Sequence, residues 1–150
     1  MMTTLEEGTD GAGGAGEAPL VGLLRMALRQ YGREIRRRLA EQGMSDLPRS
    51  GSWVLGLLAE GELGPKELAH RLGGSKQGLS RLSQTLVDRG YAGRVPDPRD
   101  RRRVLLQLTP RGREAAAVVG LAVQTQDLRL RRRLGASSAE RLRRALAETE

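Results

Sequence analysis

Apolar residues at Leu20, Leu24, Leu28, Tyr31, Ile35 and Leu39 recur every three or four positions, with arginines loading the opposite side. That spacing predicts an amphipathic helix from Pro19, a residue suited to a first helical turn, to about Glu41, with Gly43 ending it. After Leu47-Pro48 a second helix carries Trp53, Val54, Leu57 and Leu58 and stops at Glu60-Gly61. Pro65 opens a short third helix whose Leu68, Ala69 and Leu72 face inward, and Gly73-Gly74 form a turn. Ser75 is a good N-cap for a fourth helix that reaches Asp88 and is terminated by Gly90.

The period then changes. Tyr91–Val95 and Arg103–Leu108 are predicted as two short strands, the second with Val104, Leu106 and Leu108 on one face. Between them Pro96-Asp97-Pro98-Arg99-Asp100-Arg101-Arg102 is turn-forming and strongly charged. Thr109-Pro110 supplies an N-cap and a first-turn proline for a long fifth helix to about Leu134. Ser137 with Glu140 predicts a capping box for a last helix bearing Leu142 and Leu146. The class is therefore mainly α with one small β-hairpin, and no internal repeat is visible.

Composition narrows the chemistry. In 150 residues there is no cysteine, one histidine (His70) and only 2% aromatics, so the core is Leu, Val and Ala. Disulfides, thiolate metal sites, metal clusters and His-centred triads are excluded, and no cofactor is expected. His70 is expected as a surface side chain of the third helix. Residues 1–18 hold four acids and no Lys or Arg, and their glycine-rich composition predicts a disordered tail. From residue 19 onward 26 bases face 14 acids, a balance that attracts polyanions. Arginine, alanine and glycine are also what a high-GC genome supplies, so position has to decide. No apolar run approaches the ~20 residues of a membrane span. No basic region leads an apolar stretch at the N-terminus, so a cytoplasmic protein is expected.

Position points to DNA. On the fourth helix Leu79, Leu82 and Leu86 share one face, and Gln77, Ser80, Arg81 and Gln84 fall on the other. Those outward groups, with Ser75 and Lys76 at the helix start, suit base edges and phosphates. An ordinary solvated helix would show the same pattern in isolation. Context favours recognition, because a short helix, a glycine turn and a Ser-capped helix match a helix-turn-helix. The hairpin that follows puts Arg99, Arg101, Arg102 and Arg103 at its tip, with Asp100 placed to hold the Arg102 guanidinium in one pose.

The segment Leu47–Thr109 resembles the MarR family of bacterial winged helix-turn-helix regulators. The likeness lies in Leu63-Gly64-Pro65-Lys66-Glu67-Leu68-Ala69, Leu79-Ser80-Arg81-Leu82, Leu86, and Arg89-Gly90-Tyr91. It continues in Asp97-Pro98-Arg99-Asp100-Arg101-Arg102, running into Leu108-Thr109-Pro110-Arg111-Gly112. Gly74 and Gly78 depart from the family pattern. The resemblance implies a recognition helix in the major groove and a wing arginine in the minor groove. It implies a winged lobe over 47–109, and dimerisation helices over 19–46 and 110–150. Partners would be palindromic double-stranded DNA and a second copy of the chain, with no membrane.

The apolar content of the fifth helix supports a dimer independently, since a helix apolar on nearly all sides has to be buried on nearly all sides. Leu24, Leu28, Val119, Leu121, Leu128, Leu142 and Leu146 are the candidate interface. The resemblance further implies a repressor responsive to a small-molecule effector. Tyr31 and Trp53 are candidates to line its pocket, with core packing the stronger expectation for Trp53. The rivals are a nucleoid-type protein that coats DNA without reading sequence and a helical module that binds no DNA. An enzyme is weakest, because the chain has no paired acid-base constellation and no Gly-rich phosphate loop.

Overall fold

Punctuation residues set the ends of the elements in the computed structural model, which describes residues 19–148; the tail expected over 1–18 lies outside them. The helices are α1 (Leu20–Glu41), α2 (Gly51–Leu58), α3 (Pro65–Leu72), α4 (Lys76–Asp88), α5 (Pro110–Leu134) and α6 (Ala136–Ala147). The strands β1 (Ala92–Pro96) and β2 (Val104–Leu108) lie between α4 and α5. Gly73 and Gly90 close α3 and α4 at φ values of 62° and 74°, a left-handed backbone that glycine adopts without Cβ strain. Thr109 Oγ1 accepts the Gly112 N–H at 3.0 Å, and Pro110 takes the first position of α5.

The hairpin pairs antiparallel, with Ala92 opposite Leu108 and Pro96 opposite Val104. A further bridge was not legible in the sequence. Leu63, in the loop before α3, exchanges both backbone hydrogen bonds with Leu106, at 3.1 and 2.9 Å. The loop entering the helix-turn-helix is thereby tied to the wing.

The core gathers Ile35 and Leu39 from α1, Val54, Leu55 and Leu58 from α2, and Leu68 and Leu86 from α3 and α4. It adds Tyr91, Leu106 and Leu108 from the hairpin region, and Ala115, Val119 and Ala122 from α5. Helices α1 and α5 run in opposite directions. Tyr31 Oη donates to Asp127 Oδ1 at 2.6 Å, while Arg38, two turns further along α1, donates to Thr125 Oγ1 at 2.9 Å. Buried Glu34 accepts from both Arg37 and Arg38, and those hydrogen bonds hold its carboxyl down to about 2. Burial, then the Asp127 contact, pushes Tyr31 up to about 12.

Three expectations are corrected here. Val119 was assigned to a dimer interface, yet it is 6% exposed and packs in the core of its own chain. Trp53 was expected in the core, but Ser52, Val54, Leu55 and Leu58 occupy the inward side of α2 and leave the indole 51% exposed. Elsewhere on α5, Ala115 and Ala122 are buried beside Val119, whereas Leu121 and Leu128, both assigned to the interface, are 56% and 54% exposed. The Ser137–Glu140 capping box does not form. Gly135 alone separates α5 from α6, so Ser137 already lies inside α6, and Gly135 is its N-cap without a side-chain bond.

Candidate nucleic-acid interface

The best-formed candidate surface is built from α3, the turn at Gly73-Gly74, α4 and the wing. Ser75 Oγ accepts the Gly78 N–H at 3.1 Å and starts α4 on a fixed backbone. A Cβ at position 78 would lie 3.0 Å from that same oxygen, so glycine leaves room for the cap to close. Ser75 therefore acts as the cap, which commits its hydroxyl oxygen to α4 itself. Leu86 is buried and Leu79 and Leu82 are half-buried, so the opposite face is turned outward. Lys76, Gln77, Ser80, Arg81 and Gln84 are all exposed on it.

Gln84 is not a loose side chain. Its Nε2 donates to Asp88 Oδ1 at 2.6 Å, and its Oε1 accepts from Arg94 Nη2 at 2.7 Å. Arg94 stands on β1 in register with Leu106, so this bridge joins the wing to α4. Sequence reading missed Arg94 and Asp88. The available signal was that Arg94 is the single charged residue of β1 and Asp88 follows Gln84 by one helical turn.

At the tip Arg99, Arg101, Arg102 and Arg103 are all exposed, and none holds an ion pair with a carboxylate among the described residues. Two aspartates shape the loop. Asp97, buried, accepts the Arg99 N–H at 2.9 Å, and its own N–H donates to the Arg103 carbonyl. Asp100 Oδ1 accepts the backbone N–H of Arg102 at 3.0 Å. This corrects the expected contact with the Arg102 guanidinium: the aspartate makes a side-chain turn two residues ahead and sets the backbone, leaving the guanidinium unheld.

A polar joint anchors the far end of α4. Tyr91 Oη and Arg111 Nη2 both donate to Asp46 Oδ1, at 2.6 and 2.9 Å, and the Arg111 guanidinium lies 4.3 Å from the Tyr91 ring centroid. Arg89 and Arg111 also donate to the Asp46 and Arg89 carbonyls. The Tyr91 hydrogen bond holds the Asp46 carboxyl below its usual range, and burial, then Asp46, pushes Tyr91 up to about 12. These bonds fix the end of α4 to the start of α5.

A cleft of about 500 Å³ opens between α3, α4 and the wing. Leu68, Leu79, Val104 and Leu106 line it, and Lys66, Lys76, Ser80 and Arg94 also border it. The candidate pocket residues lie elsewhere. Tyr31 is bonded to Asp127, Trp53 is exposed, and neither lines this cleft or the similar one between α2, β2 and α5. No helix among the described residues is long and apolar enough to cross a membrane.

Comparison with known proteins places this arrangement. Residues 45–103 match the profile of the MarR family. The reduced form of MarR from E. coli is 26% identical over 88% of this chain and 96% of that chain, with a TM-score of 0.68. A serine-for-cysteine variant of E. coli MarR complexed with operator DNA is 26% identical over 87% and 92%, at 0.70. A transcriptional regulator from Thermotoga maritima is 27% identical over 88% and 92%, at 0.55. Among curated protein sequences none matches.

Proposed function

The chain belongs to the MarR family of transcription regulators, and from that premise we propose that it acts as a homodimeric, sequence-specific DNA-binding repressor relieved by a small-molecule effector. One observation carries this reading. A capped helix offers Gln77, Ser80, Arg81 and Gln84 outward, and a wing hydrogen-bonded to that helix carries four exposed arginines. The helix supplies donors and acceptors at the scale of a major groove. The arginine tip supplies charge for phosphates or a narrow minor groove. Operator DNA bound to the similar E. coli protein supports the same partner for this one.

A dimer suits the task, because two recognition helices about 34 Å apart read half-sites in successive major grooves. Exposed Leu28 on α1 and Leu121 and Leu128 on α5 supply apolar surface for it. The cleft between α3, α4 and the wing supports effector control. Its apolar lining and bordering cations fit a small organic anion, and a ligand there would touch Ser80 of the recognition helix directly.

Selection of bound sequences from random duplexes tests the proposal. A palindromic consensus bound roughly 10³-fold or more above scrambled DNA is the expected result. Equal affinity for selected and scrambled duplexes would overturn sequence reading and favour a DNA-coating role.

A further inference from the structure

The bonding of Gln84 carries an inference about which base the recognition helix selects; it rests on the sequence-specific reading above. A primary amide has two N–H donors and two oxygen lone pairs. In Gln84 one donor is taken by Asp88 and one lone pair by Arg94. The amide cannot be turned over, since that would set its NH₂ against the Arg94 guanidinium and its oxygen against the Asp88 carboxylate. One N–H and one lone pair remain, on an exposed side chain of the outward face of α4.

We propose that Gln84 reads an adenine through this residual donor–acceptor pair, with Asp88 and Arg94 as the positioning residues that hold the amide for it. Adenine presents N7 as acceptor and N6–H as donor in the major groove, the complement of what Gln84 has left. Guanine presents two acceptors, N7 and O6, so the amide oxygen would face another oxygen. Fixing the amide before contact also removes part of the ordering cost of a side chain that is otherwise rotamer-rich.

The test is a base-by-base affinity matrix on the selected operator for the full chain and four variants, with melting curves to confirm folding. The substituted side chains are at least partly exposed. Gln84→Ala is expected to lose a preference for adenine of roughly 5- to 150-fold at one position per half-site. Asp88→Ala and Arg94→Met should weaken discrimination at that same position and leave the others unchanged. Gln84→Glu removes the N–H that meets adenine N7 and sets a carboxylate oxygen against Asp88, so the adenine preference should be lost at that position. An unchanged matrix for Gln84→Glu, or equal losses at every position for all four variants, would overturn the inference while leaving the regulator reading intact. If the unmodified protein shows no base preference anywhere, the regulator reading itself falls and this inference with it.

Discussion

Replacing Gly112 with alanine probes the joint at which the wing meets α5. The Gly112 N–H is held by Thr109 Oγ1, and a Cβ at this position would lie 1.9 Å from the Tyr91 carbonyl oxygen and 3.2 Å from Leu108 Cδ2. A carbonyl cannot swing aside as a side-chain tip does. Restoring even a 3.0 Å contact requires the start of α5 to retreat by about 1.1 Å. That retreat strains the bonds from Thr109 Oγ1 to the Gly90 and Tyr91 carbonyls, now 2.6 and 3.1 Å.

Overpacking of this kind costs roughly 1–3 kcal/mol, and each weakened neutral hydrogen bond adds about 0.5–1.5 kcal/mol. Alanine's better helix propensity returns ~1 kcal/mol. The net loss is roughly 1–5 kcal/mol, a fall in Tm of about 2–20 °C at this chain length. Gly120→Ala in the same helix is the matched control, because nothing lies within 4 Å of its Cβ. Propensity alone then raises stability by up to ~1 kcal/mol. Thermal unfolding by circular dichroism at one fixed protein concentration reads both, since a dimer's Tm depends on concentration. A Gly112→Ala protein melting at or above the parent, or both variants shifting the same way, would refute the argument.

Three further outcomes follow from other contacts. Tyr31 and Tyr91, the chain's two tyrosines, are both pushed from 10.0 to about 12, so their neutral form is favoured by the fold. That stabilisation is complete below pH 10 and lost as pH rises toward 12; a tyrosinate absorbance step centred near pH 10 in folded protein would contradict it. Leu128→Asp should weaken self-association in sedimentation with helicity retained, whereas Val119→Asp should unfold the chain by burying an unpaired charge; the opposite pattern would reverse the division between interface and core. Arg102→Ala should weaken binding to most duplexes and flatten the salt dependence by about one unit of slope if the guanidinium meets one phosphate; an unchanged affinity across a salt series would remove the wing from the interface.

Where the sequence spoke clearly, one physical signal dominated. Helix α4 was legible because a Leu79-Leu82-Leu86 period lies between a serine cap and a left-handed glycine. The wing was legible because its prolines and aspartates admit little but a turn. Two of the errors share a cause: each depended on a choice between two alternatives that local sequence leaves equal. Asp100 sits where it can bond either a guanidinium or a backbone N–H two residues ahead, and the backbone route costs no long side chain its freedom. Val119 and Leu121 are two residues apart on a helix apolar on most sides, and periodicity does not say which side meets the same chain. The Gln84–Arg94 bridge and the Leu63–Leu106 pairing join residues distant in sequence, and no local pattern encodes them.

The single stripe predicted for α1 divides into two stretches with different surroundings. Ile35 and Leu39 are buried, while Leu20, Val21, Leu23, Met26 and Leu28 stay exposed. The antiparallel run of α5 brings its own exposed Leu128, Leu130 and Leu134 to that same end, past the Tyr31–Asp127 bond. Two helices thus leave large apolar side chains in water beyond the point where their own core stops. Such a row in water is unfavourable at roughly 25 cal/mol per Å² left exposed. The second copy proposed above would cover these side chains, setting the dimer contact at the α1 start and α5 end. The polar joint at Asp46, Tyr91 and Arg111 lies at the other end of the α1–α5 pair, where it bonds the close of α4 to the start of α5.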